Sequence, residues 1–472
     1  MMGKMRVYDS SKPTEIGWLP FVPSHWDVVD IKRCFSFPKE IVGSDFNNYK
    51  VLSLSVNGVI FRDMESGAGK HHSDMGTYQI IRPNSIVLCL FDMDVTPRIV
   101  GHSDKTGIIT SAYVNIVPKE NINSKYYYYY FLLQDFNKYL FSQGTGIRTT
   151  LTRGQFGALK IVLPNYEEQI AIARFLDYKL SKINRFIRKK KQLIQLLNEQ
   201  KAAIINQAVT KGLDPNAPMK DSGVEWLGEI PEHWEVRRLK FLIRGKLKYG
   251  ANEPGGNFIL DAPRYIRITD FDNNGNLKSN TICSLEFTLA EPYLLKEGDI
   301  LFARSGGTVG KTFQFKNYNG QACYAGYLIK AEPNLDKILS DYLFIYTNSG
   351  VYNQWKNFIF NKATIENIGA DKYANLPVIV PKPSEQLQIV AHIETETALL
   401  TTTISKIEKE IALVEEYKTA LIAEAVTGKI DVRGYAIPEI DVETWHAMSQ
   451  EEEEELSMSA EDAAEYQTEE TE

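Results

Sequence analysis

The sequence predicts an α+β protein: two tandem α/β-mixed domains joined by two long antiparallel coiled-coil helices, the halves forming a pseudo-twofold repeat. Three observations carry this. An opening motif occurs twice, a closing segment of fixed length occurs twice, and each closing segment spaces its apolar residues alternately by four and three. The opening motif, Trp18-Leu19-Pro20-Phe21-Val22-Pro23-Ser24-His25-Trp26-Asp27-Val28, returns as Trp226-Leu227-Gly228-Glu229-Ile230-Pro231-Glu232-His233-Trp234-Glu235-Val236, with Trp, Leu, Pro, His, Trp and Val in step.

The closing segment begins with Pro164 and Glu168-Gln169 and reappears at Pro381 and Glu385-Gln386. It ends with Ala208-Val209-Thr210 and again with Ala425-Val426-Thr427, every pair 217 residues apart. Its first seam is Leu176, Leu180, Ile183, Ile187, Ile194, Leu197 and Ile204, with Lys190, Lys201 and Ala208 filling the remaining positions. The second is Ile393, Leu400, Ile404, Ile407, Ile411, Val414 and Leu421, with Thr397, Lys418 and Ala425. This is coiled-coil spacing sustained over three to four heptads. Asn165, with Glu168 three residues on, or a neighbour caps the first helix, and Gly212 ahead of Pro215 ends it. A helix of about 45 residues is roughly 65 to 70 Å long, about two turns of B-DNA. Two such helices bury their seams most simply as an antiparallel pair with one variable domain at either end. From the helices alone, a spacer or a dimerisation rod is the structural reading.

The chain therefore divides into a first domain (1–163), a long helix (164–212), a second domain (213–380), a second long helix (381–432) and an acidic tail (433–472). Alternating apolar segments predict strands at 49–55, 85–91 and 108–117 in the first domain and at 264–269, 299–304 and 323–331 in the second. One helical segment follows in each, at 124–141 and 340–358. The run Tyr126 to Tyr130 invites a reading as a base-stacking platform. Its counterpart, Tyr342-Leu343-Phe344-Ile345-Tyr346, keeps the bulk but not the tyrosines, so both are read as packing faces.

Composition excludes several classes. The net charge of -7 is unevenly distributed: Glu439 to Glu472 holds fourteen acidic residues and no Lys or Arg, and without it 46 acids face 53 bases, a balance of +7. That balance permits DNA binding. The tail is expected to be solvated and disordered, with competition against DNA for the basic surface as the second reading. Around Arg185, Arg188, Lys189, Lys190 and Lys191 the first long helix is basic. No apolar run long enough to span a bilayer occurs, and residues 1–10 carry no apolar signal region, so a cytoplasmic protein is expected. Cys34, Cys89, Cys283 and Cys323 lie far apart and read as buried thiols.

No catalytic signature survives inspection. Ser305 to Thr312 approaches a phosphate-binding loop, but Ser stands where Gly is required, and the following residues alternate like a strand instead of opening a helix. His71 and His72 lack partners at metal spacing, so no metal site is expected.

The two Trp-Leu…Pro-x-His-Trp motifs, Glu297-Gly298-Asp299-Ile300-Leu301-Phe302 followed by Arg304-Ser305-Gly306, and the paired Pro…Glu-Gln openings resemble the specificity subunits of type I restriction-modification systems. The likeness runs from about Ile16 to Val432. It implies two target-recognition domains, each reading one half of a split double-stranded DNA target, while the helices fix the unread gap. It also implies two methyltransferase subunits and motor-nuclease restriction subunits as partners. S-adenosylmethionine, ATP and Mg then belong to those partners, and this chain carries no cofactor and catalyses nothing. Because the variable stretches differ strongly, the target is expected to be asymmetric.

Donors beside glycine or turn residues are the candidate DNA contacts, since base edges and phosphates are both met by hydrogen-bond donors at close backbone approach. In the first domain these are Lys70, His71, His72, Arg98, Arg148, Thr149 and Arg153. In the second they are Lys246, Lys248, Tyr249, Arg264, Arg267, Arg304, Ser305, Lys311, Lys362 and Thr364. Two rival readings are a coiled-coil scaffold that does not touch DNA, separable by salt dependence, and a self-contained restriction or modification enzyme, which would need a catalytic motif.

Overall fold

The computed structural model describes residues 6–56, 58–62, 75–146, 149–256, 258–271, 275, 277–278, 280–306, 308–360 and 367–437. They form two compact units, one combining residues up to 190 with those from 409 onward, the other spanning 191–408.

In the first unit the central sheet has four antiparallel strands in the order Phe35–Ser36, Val114–Pro118, Ser85–Leu88, Val100–Ser103. Ser85–Leu88 is buried along its whole length, as a strand covered on both faces must be. Helix Ser124–Phe136 packs over it and sinks Tyr126, Tyr127 and Tyr130 to complete burial. Two of the hydroxyls are used: Tyr126 donates to the Val426 carbonyl at 3.1 Å and Tyr127 to that of Val162 at 2.9 Å. The tyrosine run is thus a packing face, and its rings are not open to bases. Leu421, Ile422, Ala425 and Val426 of the second long helix complete this core around Trp26.

The second unit repeats the plan. Its sheet runs Lys248–Tyr249, Leu328–Ala331, Ile300–Ala303, Thr312–Gln314, again antiparallel throughout. Helix Ser340–Tyr346 buries Tyr342 and Tyr346, which donate to the carbonyls of Ile379 and Pro377. Ala208 and Val209 of the first long helix join this core with Trp234.

Tyr166–Lys211 and Pro383–Val426 are the two long helices. Asn165 caps the first, its Oδ1 accepting from the Glu168 N–H at 2.9 Å, and Gly212 ends it with φ +75°. Every seam position named above is buried or half-buried.

Several predicted elements are shorter than their sequence patterns. The segment 124–141 breaks at Lys138, which sits at φ 53°, before a short helix Tyr139–Ser142. The segment 340–358 breaks at 347–349, where Thr347 Oγ1 donates to the Phe344 carbonyl and Ser349 Oγ to that of Tyr346. Such side chains compete with the backbone for helical partners. Likewise 108–117 becomes two strands around a Thr110 turn, and 323–331 two strands around Gly326. Cys34, Cys89 and Cys323 are buried, but Cys283 is only half-buried.

Candidate nucleic-acid interface

The repeated motifs prove to be the joinery of each unit. Gln169 is fully buried and its amide clamps three backbone groups: Nε2 donates to the carbonyls of Pro164 at 2.9 Å and Asn121 at 3.5 Å, and Oε1 accepts from Asn123 N at 2.8 Å. Gln386 does the same with Pro381 at 2.8 Å, Lys337 at 3.0 Å and Leu339 N at 2.8 Å. Beside each clamp the opening motif is tied down by a histidine, His25 to Glu168 at 2.9 Å and His233 to Glu385 at 3.1 Å. The glutamine and glutamate of each closing segment therefore hold a helix start against the mixed domain it follows.

Among the first-domain candidates, Lys70, His71, His72 and Arg148 lie outside the described residues. Arg98 points inward, with Nη1 3.3 Å from Asp135 Oδ2 and its guanidinium 4.8 Å from the Phe136 ring centre. Thr149, at φ 33°, stands on a turn closed by two Thr145–Thr150 backbone bonds of 3.0 Å. Arg153 opens helix Arg153–Ala158 behind the capping box of Thr152 and Gln155, and is half-exposed.

In the second domain Lys362 and Thr364 lie outside the described residues. Arg264 is 5% exposed and bonded to the Lys278 carbonyl, and Arg267 is paired with Asp270 at 3.1 Å. Tyr249, Arg304 and Ser305 come together around the start of the helix Ala370–Ala374. Tyr249 is exposed, its ring 5.1 Å from the Arg304 guanidinium carbon, and its hydroxyl accepts from Ala370 N at 2.9 Å. Ser305 bridges to Asn367 through the backbone, and Lys246, Lys248 and Lys311 are exposed.

One residue had no local signal in the sequence: Lys356, on helix Gly350–Phe360, lies against Gly310. Burial first, and then the charge of Lys311, pull its ammonium below the ordinary lysine range. The Ser305-to-Thr312 segment leads into the strand Thr312–Gln314, paired back on Ile300–Ala303 with Phe302 opposite Thr312, and so does not itself open a helix. Among the described residues no cluster of His, Cys, Asp and Glu could hold a metal, and no helix is long and apolar enough to cross a membrane.

Around the end of the central strand the two domains share backbone hydrogen bonds at corresponding residues. Leu151 N donates to the Leu90 carbonyl at 2.8 Å, and Ile368 N, 217 residues later, to that of Arg304 at 3.0 Å. Cys89 N meets the Ile99 carbonyl and Ala303 N that of Lys311, both at 2.8 Å. Leu90 and Arg304 thus occupy the same place, as do Arg153 and Ala370 at the start of their short helices. The scaffold is conserved between the halves while the polar groups on it are not.

Comparison with known proteins agrees with this duplicated plan. The chain matches the type I restriction modification DNA specificity domain over residues 100–196 and 231–413. It is 25% identical over 438 residues to the type I restriction enzyme MjaVIII specificity subunit of Methanocaldococcus jannaschii, covering 87% of this chain and 94% of that one. To the EcoKI specificity subunit of Escherichia coli K12 it is 26% identical over 288 residues, 58% of each chain. A chain from a structure described as the basis of complex assembly and conformational transition of the type I R-M system shares the fold, with a TM-score of 0.60 at 15% identity, over 87% of this chain and 99% of that one. On the match across both halves, the chain belongs to the type I restriction-modification DNA specificity family and is a sequence-specific DNA-recognition subunit of that class.

Proposed function

We propose that each mixed domain reads one half of a split, asymmetric DNA target, and that the long helices set the number of unread base pairs between the halves. The observation that carries this is the pairing of a matching strand-end scaffold with unlike polar groups: Leu90 against Arg304, and Arg153 against Ala370, at corresponding positions. Two readers of the same sequence would not need to differ there.

The helices pair antiparallel as a coiled coil in this reading. Support comes from contacts inside each unit, Asn184 to Lys418 at 2.8 Å and Lys190 to Glu410 at 2.8 Å in the first, and Lys201 to Thr401 at 3.1 Å in the second. Numbers rise along one helix as they fall along the other. The chain is non-catalytic and works in the cytoplasm. Two methyltransferase subunits dock on the helical repeats and motor-nuclease restriction subunits join for cleavage, and they bring S-adenosylmethionine, ATP and Mg.

Co-expression with the cognate methyltransferase, followed by mapping of methylated genomic bases, tests the proposal. Two short unlike blocks with a fixed gap are expected; a methyltransferase that is active and bound to this chain but marks no defined sequence would overturn it.

A further inference from the structure

The junction where a central strand ends and a short helix begins occurs once per domain, and among the described residues each holds one arginine, supplied from opposite sides. In the first domain the strand side is Leu90, 2% exposed, and the arginine is Arg153 on the helix. In the second the helix begins with Ala370 and the arginine is Arg304 on the strand side. Among the described residues neither guanidinium meets a carboxylate, whereas Arg98 and Arg267 are both ion-paired. Half-exposed arginine without an acidic partner is a group with unused hydrogen-bonding capacity at the surface.

Arg304 is also held in place. The Tyr249 ring lies 5.1 Å from the guanidinium carbon, and the Tyr249 hydroxyl is itself fixed by Ala370 N at 2.9 Å. A ring-supported guanidinium keeps its planar fork of donors available at the edge, the geometry that meets O6 and N7 of guanine together. Lys311, exposed beside Lys356, supplies positive charge for the flanking phosphates. Gly306, φ +77°, stands two residues after Arg304, and a side chain built there meets nothing within 4 Å.

From this juxtaposition we infer that the strand-end junction is the base-reading position of each recognition domain, with Arg304 reading a guanine in one block of the target and Arg153 a guanine in the other. Tyr249 acts as a positioning residue for Arg304. The inference rests on the split-target reading above.

Whole chains carrying Arg304→Gln, Arg304→Lys, Arg153→Gln, Tyr249→Phe or Tyr249→Leu, co-expressed with the methyltransferase, are compared by methylated-base mapping. In Arg304→Gln one guanine of one block becomes permissive, with discrimination down about ten- to a hundredfold, and the other block is unchanged. Arg304→Lys weakens the guanine preference less than Arg304→Gln, because an ammonium can still donate to O6 and N7 but lacks the fixed fork. Arg153→Gln relaxes one guanine of the other block only. Tyr249→Phe keeps the guanine preference and Tyr249→Leu weakens it. An unchanged motif in Arg304→Gln, relaxation of both blocks by one substitution, or loss of the assembled complex in both Arg304 variants would each overturn the inference. A wild-type complex that marks no split motif would instead sink the split-target reading, and is observed before any variant is made.

Discussion

Replacing Gln386 with leucine tests what the repeated Glu-Gln pair is for. The side chain is fully buried and makes three hydrogen bonds, to the carbonyls of Pro381 and Lys337 and from the Leu339 N–H. Leucine has similar volume but can make none of them. At a net ~1 kcal/mol per bond the loss is about 3 kcal/mol, and the Leu339 N–H left facing a methyl group raises it toward about 5 kcal/mol. For a unit of this size that lowers the melting temperature by about 10 °C. Calorimetry of the purified full chain measures it, and hydrogen exchange at residues 337–340 locates it. Gln386→Glu keeps the acceptor for Leu339 but sets an anion against two carbonyls, so it should be at least as damaging near neutral pH. A Gln386→Leu chain that melts within 2 °C of wild type would refute the clamp.

Three further predictions follow from the same geometry. His102 is hydrogen-bonded to Ser124 at 3.0 Å, and burial, followed by the charge of Lys125, lowers its pKa from 6.5 to about 4. Between those values the unfolded chain binds a proton that the folded chain refuses, so stability falls by up to about 3 kcal/mol as pH drops from about 6.5 to about 4; His102→Gln should flatten that part of a pH–stability curve. At Gly212, φ is +75° and an added Cβ would stand 3.1 Å from Trp234, so Gly212→Ala should cost about 1–2 kcal/mol in urea unfolding. Lys311→Ala should weaken DNA binding evenly across sequences and reduce the slope of log affinity against log salt by about one, as loss of a phosphate contact does.

The mixed class, the duplicated order and the two long helices were legible because repetition and seven-residue periodicity survive in sequence without knowledge of tertiary contacts. The false phosphate loop was legible too, since alternation after Thr312 already argued for the strand Thr312–Gln314. Element ends were harder. Lys138 and the 347–349 break interrupt apolar runs that look continuous, because local backbone geometry and Ser or Thr side-chain bonds decide them. At the candidate site, composition could nominate arginines beside turns but could not say that Arg98 faces Asp135 while Arg304 faces the exposed Tyr249 ring. Lys356 carried no local mark; its place depends on a helix folding over Gly310, a contact 46 residues away in sequence.

The most direct test of two independent readers is a segment exchange. Residues 224–378, the second Trp-marked opening with the variable stretch that follows it, are replaced by the matching stretch of another family member, and methylated bases are mapped. The account predicts that one block changes completely while the other block is kept. Change in both blocks, or in neither, from a complex that still methylates would contradict it.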